Sequence, residues 1–288
     1  MADHSDPVLE QLQRWGAEHP DVHVVILTGS RAHPDASIDD YSDYDVEVYT
    51  GATGTFKQDD WLVSFGEVLI RWPLYPAPTL REDFITRLVY FKTGFRIDFQ
   101  IASIDSFDPH RYDAGYRVLV DKSGLTQSIP APTYGEFLIR KPSKEAFLVL
   151  INDFFWDGTY VAKSLCRNEM FYAKYMLDGM MRFQYLAQMV DWYIGNNHSW
   201  TVNPNKHGRL YQKYLDPSDW KWLESTFAGT GITANWDAFF LMVQLFRRMA
   251  KTVASGLNYE YPAQLDADMM DHFRTMRDVF GKQKNDRS

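Results

Sequence analysis

One cysteine, Cys166, serves all 288 residues. A lone thiol excludes an internal disulfide and a cysteine cage for zinc, and when buried it behaves as a small apolar side chain in a reducing, cytoplasmic setting. The eight histidines are scattered without metal-ligand spacing. No apolar run approaches the roughly 20 residues of a membrane span. The first residues, MADHSDPVLEQLQRWG, have neither a basic lead nor an apolar core, so no secretion signal is expected. Walker A, Gly-x-Gly-x-x-Gly and nucleophile-elbow motifs are missing too, as are repeats and low-complexity segments. These absences remove the P-loop, dinucleotide-binding and serine-hydrolase classes.

What is present is a chain that is 45% hydrophobic and 16% aromatic, enough to bury one large core or two ordinary ones. Charge is uneven. Residues 1–135 carry 21 acidic and 11 basic side chains, net −10, whereas residues 136–288 carry 17 and 19, net +2. An acidic half argues against a nucleic-acid partner, which wants a basic surface, and would draw in a polycationic small molecule.

The acidic half holds VVILTGSRAHPDASIDDYSDYDVEVY, residues 24–49. A β-branched run predicts a strand over Val24–Thr28, ending at Gly29-Ser30, where the backbone lies bare for a ligand. Twelve residues later come Asp43 and Asp45. Strand side chains alternate, so these two carboxylates share one face while Tyr44 and Val46 take the other. At ~4 Å and an effective dielectric of ~20 their repulsion is on the order of 4 kcal/mol, which a hard divalent cation would offset. A phosphate turn followed by a metal pair suits a nucleoside triphosphate. A later strand, FRIDFQIA, puts Phe95, Ile97, Phe99 and Ile101 on one face and Arg96, Asp98 and Gln100 on the other. If it neighbours the Asp43/Asp45 strand, three carboxylates converge; otherwise Asp98 faces solvent or pairs with Arg96.

Residues 7–19 read as a covering helix, Asp59–Phe65 as a short one, and Val68–Trp72 and Ile85–Phe91 as strands, the latter joined to Phe95–Ala102 by a Lys92-Thr93-Gly94 hairpin. Pro73, Pro76 and Pro78 mark the loop between the first two. From Pro142-Ser143 the pattern turns helical: 144–167, then 168–195 as either one helix or two divided at Asp178-Gly179, then 206–215, 218–227, 235–256 and 263–280. The expected architecture is α+β: a mixed β-sheet flanked by helices over 1–135, then an all-α helical bundle over 136–288. The long helix carries Asp153, Trp156, Tyr160, Lys163 and Arg167 on one face, either a cleft wall or rings packed on a neighbour with charges in water. Lys206 and Arg209 sit at a loop-to-helix junction, placed either to meet phosphate or as surface basics.

Gly29-Ser30, a gap of twelve, then Asp43-Tyr44-Asp45-Val46 resembles the nucleotidyltransferase superfamily signature. LTGSRA, SDYDVEVY, RIDFQIA, DFFWDGTYVAKSLCRNEMFYAKYMLDG, DWYIG and VNPNKHGRLYQKYL extend the resemblance to the aminoglycoside 6-adenylyltransferases, the streptomycin adenylyltransferase family. The resemblance implies transfer of AMP from ATP to a streptomycin hydroxyl, with release of pyrophosphate and antibiotic resistance. It implies magnesium, two ions, on Asp43 and Asp45, with Asp98 either completing the metal site or taking the acceptor's proton. Gly29, Ser30, Arg31 and Lys206 would hold the nucleotide. Trp156, Tyr160, Lys163, Glu169 and Asp178, with Asp153, would meet the cationic aminoglycoside. The 1–135 region becomes the ATP/Mg domain and 136–288 the acceptor domain, with no nucleic-acid, membrane or protein partner. A different small-molecule acceptor, or a non-catalytic binding protein of the same fold, are the alternatives. The chain departs from the family at Asn203-Pro204-Asn205-Lys206, where Asn-Pro-Gly-Lys is common, and at Phe155-Trp156, where two tryptophans are common.

Overall fold

Asp6 accepts hydrogen bonds from the Val8 and Leu9 amides, at 3.0 and 3.2 Å. With Pro7 in the first turn it starts helix α1, Pro7–Glu18, the N-terminal geometry that costs least. The computed structural model describes residues 6–34, 36, 38–75 and 84–285. The chain forms two compact units, Met1–Glu136 and Phe137–Ser288.

The first unit is a six-stranded sheet in the order β3-β4-β5-β2-β1-β6. The strands are β1 (Val22–Thr28), β2 (Tyr44–Thr50), β3 (Val68–Trp72), β4 (Phe84–Phe91), β5 (Arg96–Ser103) and β6 (Arg117–Asp121). Only the central β2–β5 pair is parallel; its neighbours run antiparallel. Alternation decides the two faces. Val46, Val48, Ile97, Phe99 and Ile101 are buried on one, beneath α1 and two short turns that supply Phe56, Trp61 and Phe65. Trp61 meets Phe99 edge-on at 4.8 Å between ring centroids. Each such ring, fully buried, contributes about 1.5–3 kcal/mol. The other face has a smaller apolar cluster around Val24, Ile26, Tyr49 and Tyr112 and is otherwise polar.

The expected strands and the hairpin through Gly94 are present; β6 was not foreseen. Its five residues are only partly buried and end in charges, so alternation there is faint. Pro76 and Pro78 lie outside the described residues.

The second unit is helical: α2 (Lys144–Cys166), α3 (Met170–Lys174), α4 (Ala187–Asn197), α5 (Tyr211–Tyr214), α6 (Pro217–Ser225), α7 (Ile232–Leu257) and α8 (Ala263–Asn285). Ser143 caps α2 by accepting from the Ala146 amide. Phe154 of α2 stacks on Phe246 of α7 at 3.7 Å, and Gly158 lets Phe273 of α8 seat against α2, since a Cβ there would stand 2.7 Å from the ring.

One alternative is decided here and one expectation fails. The helix does not break at Asp178-Gly179. The chain stays helical from α3 to α4, wound in the wider i→i+5 form over Tyr175–Leu186. Asp178 ties successive turns by pairing with Lys174 and Arg182, while Met176, Leu177 and Met181 stay buried. Residues 206–215 are not one helix. Asn205, His207 and Gly208 have φ of +62°, +56° and +71°, which no α-helix accommodates, so only a short turn and α5 form. Among the described residues no helix is long and apolar enough to cross a membrane.

Candidate active site

The parallel pairing of β2 with β5 sets Asp45 directly beside Asp98. Adjacent strands lie about 4.8 Å apart, so the two carboxylates are neighbours on the open face. Asp43 stands one residue before β2, opposite Arg96. On Asp45's other flank is the tight turn Gly29–Ala32, which leaves β1 with Gly29 at φ +66°. A Cβ on Gly29 would lie 2.0 Å from Asp45 Oδ2, so the carboxylate leans on bare backbone and only glycine fits. Gly29 and Ser30 are exposed, leaving the turn accessible.

The alternatives left open for Asp98 prove not to exclude each other: it both joins the acidic pair and binds Arg96. Arg96 Nε and Nη2 each donate to Asp98 at 2.7 Å, and Nη1 lies 3.5 Å from Asp43. The Asp98 hydrogen bonds, then the charges of Asp98, Asp43 and Asp45, raise the Arg96 pKa above its usual value against a modest opposing effect of burial. Three carboxylates thus act on one cationic centre. Among the described residues no group of three or more His, Cys, Asp or Glu is placed to hold a metal ion; the Arg96 guanidinium bridges Asp98 and Asp43.

Arg31, expected among the nucleotide contacts, has all its nitrogens engaged elsewhere. Nε donates to the Ser42 and Asp43 carbonyls at 3.2 Å, Nη2 to Ser42 O at 2.9 Å, and Nη1 to Asp6 at 3.3 Å. Its guanidinium also lies over the Tyr44 ring at 3.9 Å. Tyr44 in turn donates to Asp6, and burial with that bond pushes its hydroxyl up to about 12. Asp6, Arg31 and Tyr44 therefore bind the start of α1, the acidic loop and β2 into one support for Asp43.

One step along β2, Glu47 accepts from Tyr112 at 2.7 Å and Tyr49 at 2.9 Å, with Arg111 at 3.5 Å. Burial, and then the Glu47 charge, hold both tyrosine pKa values above normal. Glu47's place was readable, since it continues the Asp43–Asp45 spacing; Tyr112, from a distant turn, gave no local signal.

In the helical unit, Trp156 is 62% exposed and edge-on to Tyr160 at 6.3 Å, and Lys163 Nζ lies 4.9 Å over the Tyr160 ring. This part of the α2 stripe is an open wall of rings and charge. Glu169 is exposed at the start of α3. Asp178 is already held by Lys174 at 2.6 Å and by buried Arg182 at 3.0 Å, so its charge is answered within the helix. Lys206 stands exposed in its turn, its amide donating to the Asn205 side chain at 2.6 Å. Asn205 holds the glycine-like backbone that the departure from the family pattern had put in question.

A Gly-Ser turn against the first of two in-register carboxylates, on a mixed sheet, is the arrangement of a nucleotidyltransferase. The streptomycin adenylyltransferase family profile matches residues 4–276, and the chain belongs to that family of nucleotidyltransferase enzymes. An aminoglycoside 6-adenylyltransferase of Bacillus subtilis (strain 168) is 29% identical over 249 residues, covering 84% of this chain and 87% of that protein. One from Staphylococcus aureus is 29% identical over 265 residues, covering 88% and 92%. A crystal structure of an aminoglycoside 6-adenyltransferase from Bacillus subtilis superposes with a TM-score of 0.47 at 20% identity, covering 94% of this chain and 97% of that one.

Proposed function

We propose that the chain transfers AMP from ATP to a hydroxyl of a streptomycin-like aminoglycoside, at the 6-position, and releases pyrophosphate. The observation that carries the reading is the Asp45–Asp98 register with Gly29 packed on Asp45. Family membership and the names of the relatives support the acceptor class.

The donor chemistry suits magnesium: Asp43 and Asp45 offer hard oxygens, and their charges already act together on one cation, Arg96. Asp43 and Asp45 would hold the magnesium, which when bound offsets charge on the triphosphate and the departing pyrophosphate. The bare Gly29-Ser30 turn receives the phosphates, and Arg31 acts through the loop it fastens. Asp98, on the side of Asp45 away from Gly29, takes the acceptor's proton. The acceptor oxygen then bonds to the α-phosphorus as the bond to the β-phosphate oxygen breaks. Transfer is direct, with no adenylyl-enzyme step, and is driven by positioning and charge. Trp156 and Tyr160 offer faces to the acceptor's cations, Lys163 helps shape that wall, and Glu169 offers a carboxylate to a guanidinium. Asp178 steadies the adjoining helix, and Lys206 is the helical unit's candidate phosphate contact. The first unit thereby takes ATP and magnesium, and the second the aminoglycoside.

Incubation with ATP, magnesium and streptomycin tests this by mass spectrometry: a product heavier by one AMP is expected. A parallel panel of other aminoglycosides separates streptomycin preference from a broader one.

A further inference from the structure

The open face of the sheet continues past Asp98 to its edge. Pairing there sets Asp98 opposite Leu88, and Leu88 opposite Trp72; one step along, Arg96 is opposite Tyr90, and Tyr90 opposite Ile70. Read across the strands, one row is Trp72, Leu88, Asp98, Asp45, Thr28, which ends beside Gly29. The carboxylates are thus flanked by the phosphate turn on one side and by an apolar, aromatic shelf on the other. Among the described residues nothing covers the shelf: Ile70 is 67% exposed, Trp72 63% and Tyr90 39%. Proteins usually blunt an edge strand with charge; β3 instead turns its one charged side chain, Arg71, to the far face, where it pairs with Asp59. Tyr90 also lines a pocket with Tyr41, Asp43, Gly94 and Arg96, which joins the shelf to the acidic cluster.

We propose that this shelf is an acceptor-binding surface, on which one ring of a cationic aminocyclitol sugar lies while a hydroxyl of the next ring reaches Asp98. The proposal rests on the adenylyltransferase reading. Aromatic faces take the apolar C–H face of a sugar ring and attract its cations, and the Tyr90 hydroxyl adds a polar tip. Two strand spacings separate Trp72 from Asp98, roughly 10 Å, the span of two linked rings. The surface lies in the half of the chain with net charge −10, which complements a polycation. The sheet unit thereby carries an acceptor surface of its own.

Steady-state kinetics with streptomycin and ATP test it. Trp72→Ala and Tyr90→Ala are each expected to raise the acceptor KM tenfold or more and to leave the ATP KM within twofold, while Trp72→Phe restores most of the loss. Val63→Ala, at a 78% exposed site on the layer covering the opposite face, is the control and leaves both constants unchanged. An unchanged acceptor KM in both alanine variants overturns the shelf while the adenylyltransferase reading stands. A change in sedimentation without a change in KM also overturns it, assigning the surface to contact between copies. If the wild-type protein transfers AMP to no aminoglycoside, the underlying reading fails and the shelf falls with it.

Discussion

Arg96 grips Asp98 with two hydrogen bonds of 2.7 Å from two positions upstream on the same strand. In a ligand-free protein this internal cation relieves the repulsion among Asp43, Asp45 and Asp98. A bound metal would take over that task.

Arg96→Ala should therefore destabilise the metal-free protein by about 1 kcal/mol, the value for a charged hydrogen-bonded pair discounted for partial exposure. The deficit should shrink when magnesium is added. Urea denaturation with and without magnesium measures both; an equal deficit in the two conditions would show that arginine and metal do not share these carboxylates.

Asp43→Asn, Asp45→Asn and Asp98→Asn should each lower kcat by at least about 100-fold, the scale of a lost charge-stabilising or proton-accepting group. Circular dichroism should show folded protein, since these side chains lie on the open face. Near-wild-type turnover from any of them removes that residue from the assigned chemistry.

Gly29→Ala combines an unfavourable φ of +66° with a clash against Asp45. The backbone cost is about 1–2 kcal/mol. Because the clash displaces the carboxylate, kcat should fall at least about tenfold, while Gly231→Ala, at a position with ordinary φ where the new Cβ makes only a van der Waals contact with Ala234, changes little. Matching kinetics for the two variants would separate the turn from the site.

Asp191, half-buried in α4 with Tyr211 donating to it at 2.8 Å, has its carboxyl pushed up to about 6 by that partial burial. The folded chain then keeps a proton that the unfolded chain releases near pH 4. Stability falls as pH rises from about 4 to 6, and the penalty, on the order of 2–3 kcal/mol, persists above that. Asp191→Asn keeps a partner for Tyr211 and should be more stable than wild type at pH 7.5 but not at pH 4.5. A pH-independent difference in urea midpoints contradicts this.

The sheet was legible because its alternation is strong: Ile97, Phe99 and Ile101 against Arg96, Asp98 and Gln100 left one reading of β5. Which strand lay beside it was not legible. The parallel β2–β5 contact joins segments about fifty residues apart, and no local spacing encodes it. For the same reason the row from Trp72 to Thr28 became visible only in the register. Arg31 misled because arginine beside a phosphate turn suggests an anion contact, whereas here Ser42, Asp43 and Asp6 from other segments claim its donors. Positive backbone angles at Asn205 and His207 ended an expected helix that side-chain periodicity alone supported.

The central claim is adenylyl transfer to an aminoglycoside at the carboxylates flanked by Gly29. Mass spectrometry of streptomycin after incubation with the protein, ATP and magnesium tests it most directly. A product heavier by one AMP, formed with an equivalent of pyrophosphate and absent with Asp45→Asn, is the expected result. Unmodified streptomycin, together with unmodified members of an aminoglycoside panel, would contradict it.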